Sequence, residues 1–361
     1  MKTISKRSFL RLTGLAGMSL ASPYISTTSA LAKETKLVLQ GGSPTPDISF
    51  IPIYVAEKAG FLKEEGISIE MRYTAGAPLA AQIVATGGAD IGAFTLEPAI
   101  LGYDKGLRGK YFHKTYTRLA FFIAVPENSP IKSLSDLQGK KIGVSNMGSA
   151  SLVVARSMLK GAGVSETSGT FLPVGAGDTA NIALQSGQVD ALSLWDAAYA
   201  GLERAGVKLR YFYHPEIGES GNGGIFTTAA VIASKKEALS GFSKAIGKGL
   251  IFLLENPEAA VKMYWETNPA AKQGSSEADA LAKGVTELKS AARSWDPSKE
   301  PSGRPGRFDP AQVETYIKLL NREGVIPKAF DASEIVTTEI FDLPSSSFDP
   351  EDVRKLARNW K

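Results

Sequence analysis

Short apolar runs alternate with amphipathic stretches from residue 36 onward, and the two kinds of segment set the predicted elements. Residues 36–40 read as a strand, closed by the turn formers of residues 41–46. A helix over 51–59 stops at Gly60. A second strand follows over 67–73, then a helix opened by Gly76-Ala77-Pro78 and ended by Gly87-Gly88. Residues 89–94 form a buried strand, followed by Thr95 and a helix over 97–103. A longer strand is expected over 116–125. Strands alternating with helices in this way predict βαβ units and a mainly parallel sheet.

The same grammar then recurs. Ile142 and Val144 supply a short buried strand, with Gly143 where something packs closely. Ser145, Asn146, Gly148, Ser149, Ala150 and Ser151 lead into a helix to residue 160. Such a start carries unpaired N–H groups and a positive dipole, so it suits an anion, or it is simply a well-capped helix. A strand over 170–174 and a helix from Gly175 to residue 184 come next. Gly187-Gln188-Val189-Asp190 then matches Gly87-Gly88-Ala89-Asp90 in position and type, which points to two halves of one plan. Trp195 and Asp196 follow the next strand. A helix over 197–205, a strand over 207–213 and a returning strand over 225–233 complete the second half. Two crossings make a hinge. The remainder is helical scaffold, with a Pro- and Gly-rich loop over 294–310.

The first 32 residues have a different pattern. Lys2, Lys6, Arg7 and Arg11 precede a modest apolar stretch, and Ala30-Leu31-Ala32 offers small residues for cleavage. Residues 1–32 are therefore expected to be an export signal. Residues 5–11 resemble a twin-arginine box with Lys6 in place of the first arginine. This segment accounts for the whole net charge of +4: without its four basic residues, 37 Lys and Arg face 37 Asp and Glu. A folded part so balanced gives no sign of nucleic-acid binding. Cys is absent and only His113 and His214 are present, so thiolate metal sites, disulfides and Cys nucleophiles are excluded. Both histidines are expected at the surface or in loops. No cofactor, metal or catalytic set is expected.

Three stretches carry a resemblance. Val55-Ala56, Gly60-Phe61 and Glu65-Gly66-Ile67 form one signature. Gly87–Asp90 forms the second. Leu134 through Asp136-Leu137 and Gly139-Lys140-Lys141-Ile142-Gly143-Val144 form the third. Together they resemble the NMT1/THI5-like solute-binding proteins, over roughly residues 36–265. The resemblance implies the type II periplasmic binding fold. One lobe would comprise 33–125 and 226–361, the other 126–225, and a monomer would capture its ligand between them for an ABC permease and ATPase. It places ligand contacts at Ser43, Pro44, Thr45, Gly76, Ala77, Thr95, Asn146, Gly148, Ser149, Ala150, Trp195 and Asp196. These are loop ends beyond the carboxyl ends of strands, where open α/β sheets bind ligands.

Several of these residues have plainer readings. Thr95 and Asp196 serve equally as helix caps, and Trp195 as core. The predicted ligand is a small organic anion, a sulfonate or carboxylate with an aromatic body allowed by Trp195. Two other roles stay open: an enzyme of the pyrimidine-synthase type, which uses His and Cys, and a periplasmic sensor subunit.

Overall fold

The computed structural model describes residues 34–360, apart from 166–168, 219 and 301–303. The expected export signal lies outside the described residues.

The chain forms two five-stranded sheets. β1 (Thr35–Gly41) leads through α1 (Ile51–Lys58) and the short α2 (Phe61–Glu64) to β2 (Ile67–Tyr73). α3 (Ala77–Ala85), β3 (Ile91–Thr95), α4 (Glu97–Gly102) and β4 (Lys110–Lys114) follow. The chain then crosses to β5 (Phe121–Pro126) and β6 (Lys141–Val144). Next come α5 (Ala150–Gly161), β7 (Thr170–Pro173), α6 (Asp178–Gln185), β8 (Ala191–Trp195), α7 (Asp196–Arg204) and β9 (Leu209–Phe212). It returns in β10 (Gly223–Thr227). α8 (Ala229–Glu255), α9 (Pro257–Thr267), α10 (Glu277–Ala291), α11 (Pro310–Arg322) and α12 (Pro350–Arg358) close the chain.

The first sheet runs β2-β1-β3-β10-β4 and the second β7-β6-β8-β5-β9. In each, four strands run in one direction, and the strand arriving from the other half lies antiparallel between two of them. The internal repeat is visible in atomic detail. Asp90 Oδ2 accepts from the Val38 N–H of β1 at 2.9 Å, and Asp190 Oδ2 accepts from the Lys141 N–H of β6 at 2.8 Å. Gly87 and Gly187 turn the preceding helix end with φ of 81° and 73°. Gly143 is close-packed as expected: a Cβ there would lie 2.7 Å from Val174 and 2.8 Å from Leu192.

Four expectations are corrected. The run 116–125 is not one strand. Residues 115–120 are the crossing, and β5 joins the second sheet. The return strand ends at Thr227, because the Thr228 side chain accepts from the Val231 N–H and starts α8. Gly223, Gly224 and Ile225, expected in the second lobe, pair with β3 and β4 in the first sheet. β4 and α10 were not anticipated. Finally, both histidines are buried. His113 lies in β4 with Nδ1 2.8 Å from Ser243 Oγ, and burial drives its pKa down to about 3. His214 packs Nε2 3.1 Å from Ser157 Oγ, and burial lowers its pKa too.

Candidate functional site

A cleft of about 560 Å³ opens where the carboxyl ends of both sheets' parallel strands converge. The loop after β1 brings Ser43, Pro44, Asp47, Ser49 and Phe50. The start of α3 brings Gly76 and Ala77, and the end of β3 brings Phe94 and Thr95. From the second sheet come Asn146, Gly148, Ser149 and Ala150 beyond β6, Gly175 and Ala176 beyond β7, and Trp195 at the end of β8. The two crossings complete the wall with Tyr116, Ala120, Phe121, Gly224 and Ile225.

Of the residues expected from sequence, Ser43, Pro44, Gly76, Ala77, Thr95, Asn146, Gly148, Ser149, Ala150 and Trp195 therefore meet around one cavity. Thr45 and Asp196 do not line it. Thr45 turns outward, its carbonyl accepting from Ser43 Oγ at 2.8 Å. Asp196 starts α7 behind Trp195, is 2% exposed, and accepts from the Ala197 N–H at 2.8 Å through Oδ1. Its Oδ2 has no hydrogen-bond partner, and burial pushes its pKa up to about 7.

The stretch before α5 resolves the choice between cap and free turn. Ser149 is the N-cap residue, yet its side chain makes no capping bond; its Oγ lies 3.0 Å from Ser151 Oγ. Asn146 Oδ1 accepts from Gly148 N at 3.0 Å and tightens the turn itself. The first N–H groups of α5 are thus left at the cleft without a side-chain cap. Thr95 is not the cap of α4 either, since Leu96 occupies that position, and the Thr95 carbonyl accepts from Tyr111 Oη at 2.5 Å.

Charge is scarce here. Asp47 is the sole Asp, Glu, Lys, Arg or His among the described residues lining the cleft. Its Oδ1 accepts from Ser49 N at 2.8 Å, starting the turn Ile48–Phe50, and burial raises its pKa. Arg72, near the end of β2, pairs with Glu70 at 2.7 Å. Arg118 lies with its guanidinium 5.5 Å from the Tyr213 ring. The walls are aromatic and apolar: Phe50, Phe94, Tyr116, Phe121 and Trp195 come from both halves. Tyr116 is fitted into the return crossing by glycine, since a Cβ on Gly223 would lie 2.4 Å from its Cδ2.

Sequence reasoning missed Asp47, Tyr116, Phe121, Gly175 and Ala176. Three of these carry a signal. Gly175-Ala176 occupies in the second half the place of Gly76-Ala77 in the first, and Asp47 stands two residues before Ser49 as an N-cap does.

Two α/β halves, each ending its parallel strands at a shared cleft and linked by two crossings, define the periplasmic binding protein fold. The NMT1/THI5-like family model matches residues 47–260, and the chain belongs to that family. The riboflavin-binding protein RibY of Chloroflexus aurantiacus is 25% identical over 271 residues, covering 73% of this chain and 77% of that protein. Among solved structures, the alkanesulfonate-binding protein SsuA from Xanthomonas axonopodis pv. citri, bound to MOPS, superposes with a TM-score of 0.63. It is 18% identical and covers 85% of this chain and 99% of its own. The aliphatic sulphonate binding protein SsuA from Escherichia coli gives a TM-score of 0.62 at 19% identity, over 84% and 92% of the two chains.

Proposed function

We propose that this chain is the extracytoplasmic solute-binding component of an ABC importer, and that its cleft takes a planar aromatic molecule of low net charge, such as a flavin. The observation that carries this reading is the lining of the cleft: aromatic side chains from both halves and, among the described residues, no Lys, Arg or His. A volume of about 560 Å³ falls inside the roughly 300–1,000 Å³ of small-molecule sites. Aromatic walls bury a flat ring system with little loss of side-chain freedom. The uncapped start of α5 supplies N–H donors that suit the carbonyl oxygens of a heterocycle. The RibY relative, by its name a riboflavin-binding protein, agrees with this class.

The organic anion expected from sequence stays a second reading, supported by the same α5 start. It finds no cationic partner among the described residues that line the cleft. A pyrimidine-synthase type of reaction would need a cysteine the chain lacks, and both histidines are committed to packing. Delivery to a permease and its ATPase, and a periplasmic location, follow from the proposed role.

The test is a thermal-shift screen of the mature chain against riboflavin, aromatic acids and alkanesulfonates. Ligand that binds the native state alone raises the midpoint by mass action, about 2.7 kcal/mol at a hundredfold excess over Kd. Riboflavin or another neutral aromatic is expected to give the largest shift. If alkanesulfonates alone raise the midpoint, the aromatic reading is wrong and the anion reading stands.

A further inference from the structure

This inference rests on the aromatic-solute reading and concerns what selects among such solutes. Asp47 is the one carboxyl on the cleft wall among the described residues, and when ionised it is the one formal charge there. No Lys, Arg or His figures among the groups acting on it; its influences are burial and the hydroxyl and amide groups of Ser43 and Ser49. Oδ1 is committed to Ser49 N at 2.8 Å, starting the turn Ile48–Phe50. The hydroxyls of Ser43 and Ser49 also bear on the carboxyl, so every group around it is a neutral donor. Tyr116, also on the wall, lies within the field of both Asp47 and Asp196, and Asp47 contributes to the raised pKa of Asp196. This corner is rich in acceptors and poor in counter-charge.

We propose that Asp47 sets the charge specificity of the cleft: it accepts a hydrogen bond from a hydroxyl, N–H or ammonium group of the ligand and rejects the anionic form of the same scaffold. The physics is asymmetric. A ligand donor adds a charge-assisted hydrogen bond to a carboxylate in a partly dehydrated place. An anion there meets an unscreened like charge and leaves the carboxylate without its partner. The opposite wall, at the start of α5, offers donors rather than acceptors, so the two sides of the cleft orient a ligand that carries both kinds of group.

The experiment titrates the mature chain with riboflavin and with its 5′-phosphate at pH 8. In parallel it uses naphthalene-based alcohol, amine and sulfonate probes of matched shape. The unmodified chain should hold riboflavin at least about tenfold tighter than the phosphate, and the alcohol and amine tighter than the sulfonate. Asp47→Asn should narrow each gap to about threefold. Asn is as good an N-cap as Asp, so the turn at Ile48 survives, and the unliganded melting temperature verifies it. Asp47→Ala should weaken the neutral ligands as well, since it removes the acceptor.

An anionic probe bound as tightly as its neutral partner overturns the inference and leaves the aromatic reading intact. So does an Asp47→Asn variant with unchanged selectivity. Should riboflavin fail to bind, the naphthalene set decides the inference by the same comparison. If no aromatic probe binds, both the reading and the inference fall.

Discussion

At the scale of single residues, burial decides which polar groups can be free for a ligand. Asp196 was a reasonable site candidate, being a carboxylate just past a strand end, but the fold turns it away from the cleft and into protein. With Oδ2 unpartnered and its pKa pushed up to about 7, it favours the native state while protonated. Because that value lies above the unfolded one of about 3.9, its contribution is complete below about pH 4 and is lost as pH rises to about 7. Asp196→Asn should flatten this part of the decline in stability, read from urea midpoints at pH 4, 5.5 and 7.5. An unaltered profile would mean that another buried acid carries the dependence. Asp47, Glu97 and Glu287 are the alternatives, since burial raises the pKa of each.

The element scale explains why the stretch before α5 matters. Ser, Asn and Gly before an apolar helix normally signal capping, worth about 1 kcal/mol. Here Ser149 contributes no such bond, and Asn146 spends its acceptor on Gly148. Ser149→Ala should therefore cost less than about 1 kcal/mol of stability, while weakening ligand binding measurably by calorimetry. A full capping penalty with unchanged affinity would return the stretch to a structural role. The repeated Gly-x-x-Asp segment behaves in the opposite way. Asp90 and Asp190 look like chemistry-bearing residues, yet each tethers the first strand of its half by accepting a backbone N–H.

For the whole molecule, two crossings alone do not describe how the halves are joined. α10 packs against α9 on one side and α7 on the other. Ala197 and Ala200 of α7 belong to the same apolar cluster as Ile51, Val261 and Trp295. Around this seam Arg204 pairs with Glu287 at 2.8 Å. Glu203 accepts from Tyr211 Oη at 2.6 Å and Arg293 at 3.0 Å, and also from Ser290. α11 makes a second seam, with Lys160 3.3 Å from Glu323 and Glu216 2.5 Å from Arg322. Opening the cleft must loosen these contacts. A pair of this exposure is worth about 1 kcal/mol, or about fivefold in an opening equilibrium. Glu203→Ala combined with Glu287→Ala should raise the radius of gyration of the unliganded chain in X-ray scattering. No change would show that the seams do not restrain opening.

What the sequence determined by itself was local and periodic. The alternation of strands and helices, the glycines at helix ends, the tandem plan and the loop ends that carry Ser43, Gly76, Asn146 and Trp195 could all be read because short-range sterics and hydrogen bonding dictate them. Tertiary structure alone decided the rest. The run 116–125 is mostly apolar and aromatic, interrupted only by Thr117 and Arg118, and no turn former within it shows that its first half is a crossing and its second half a strand of the other sheet. The strand β4, the burial of His113 and the place of Asp47 on the cleft wall all depend on partners far away in sequence. Sequence could find the turns that meet at the cleft. Its charge was set by which side chains long-range packing left facing inward, and that is a property of the folded chain.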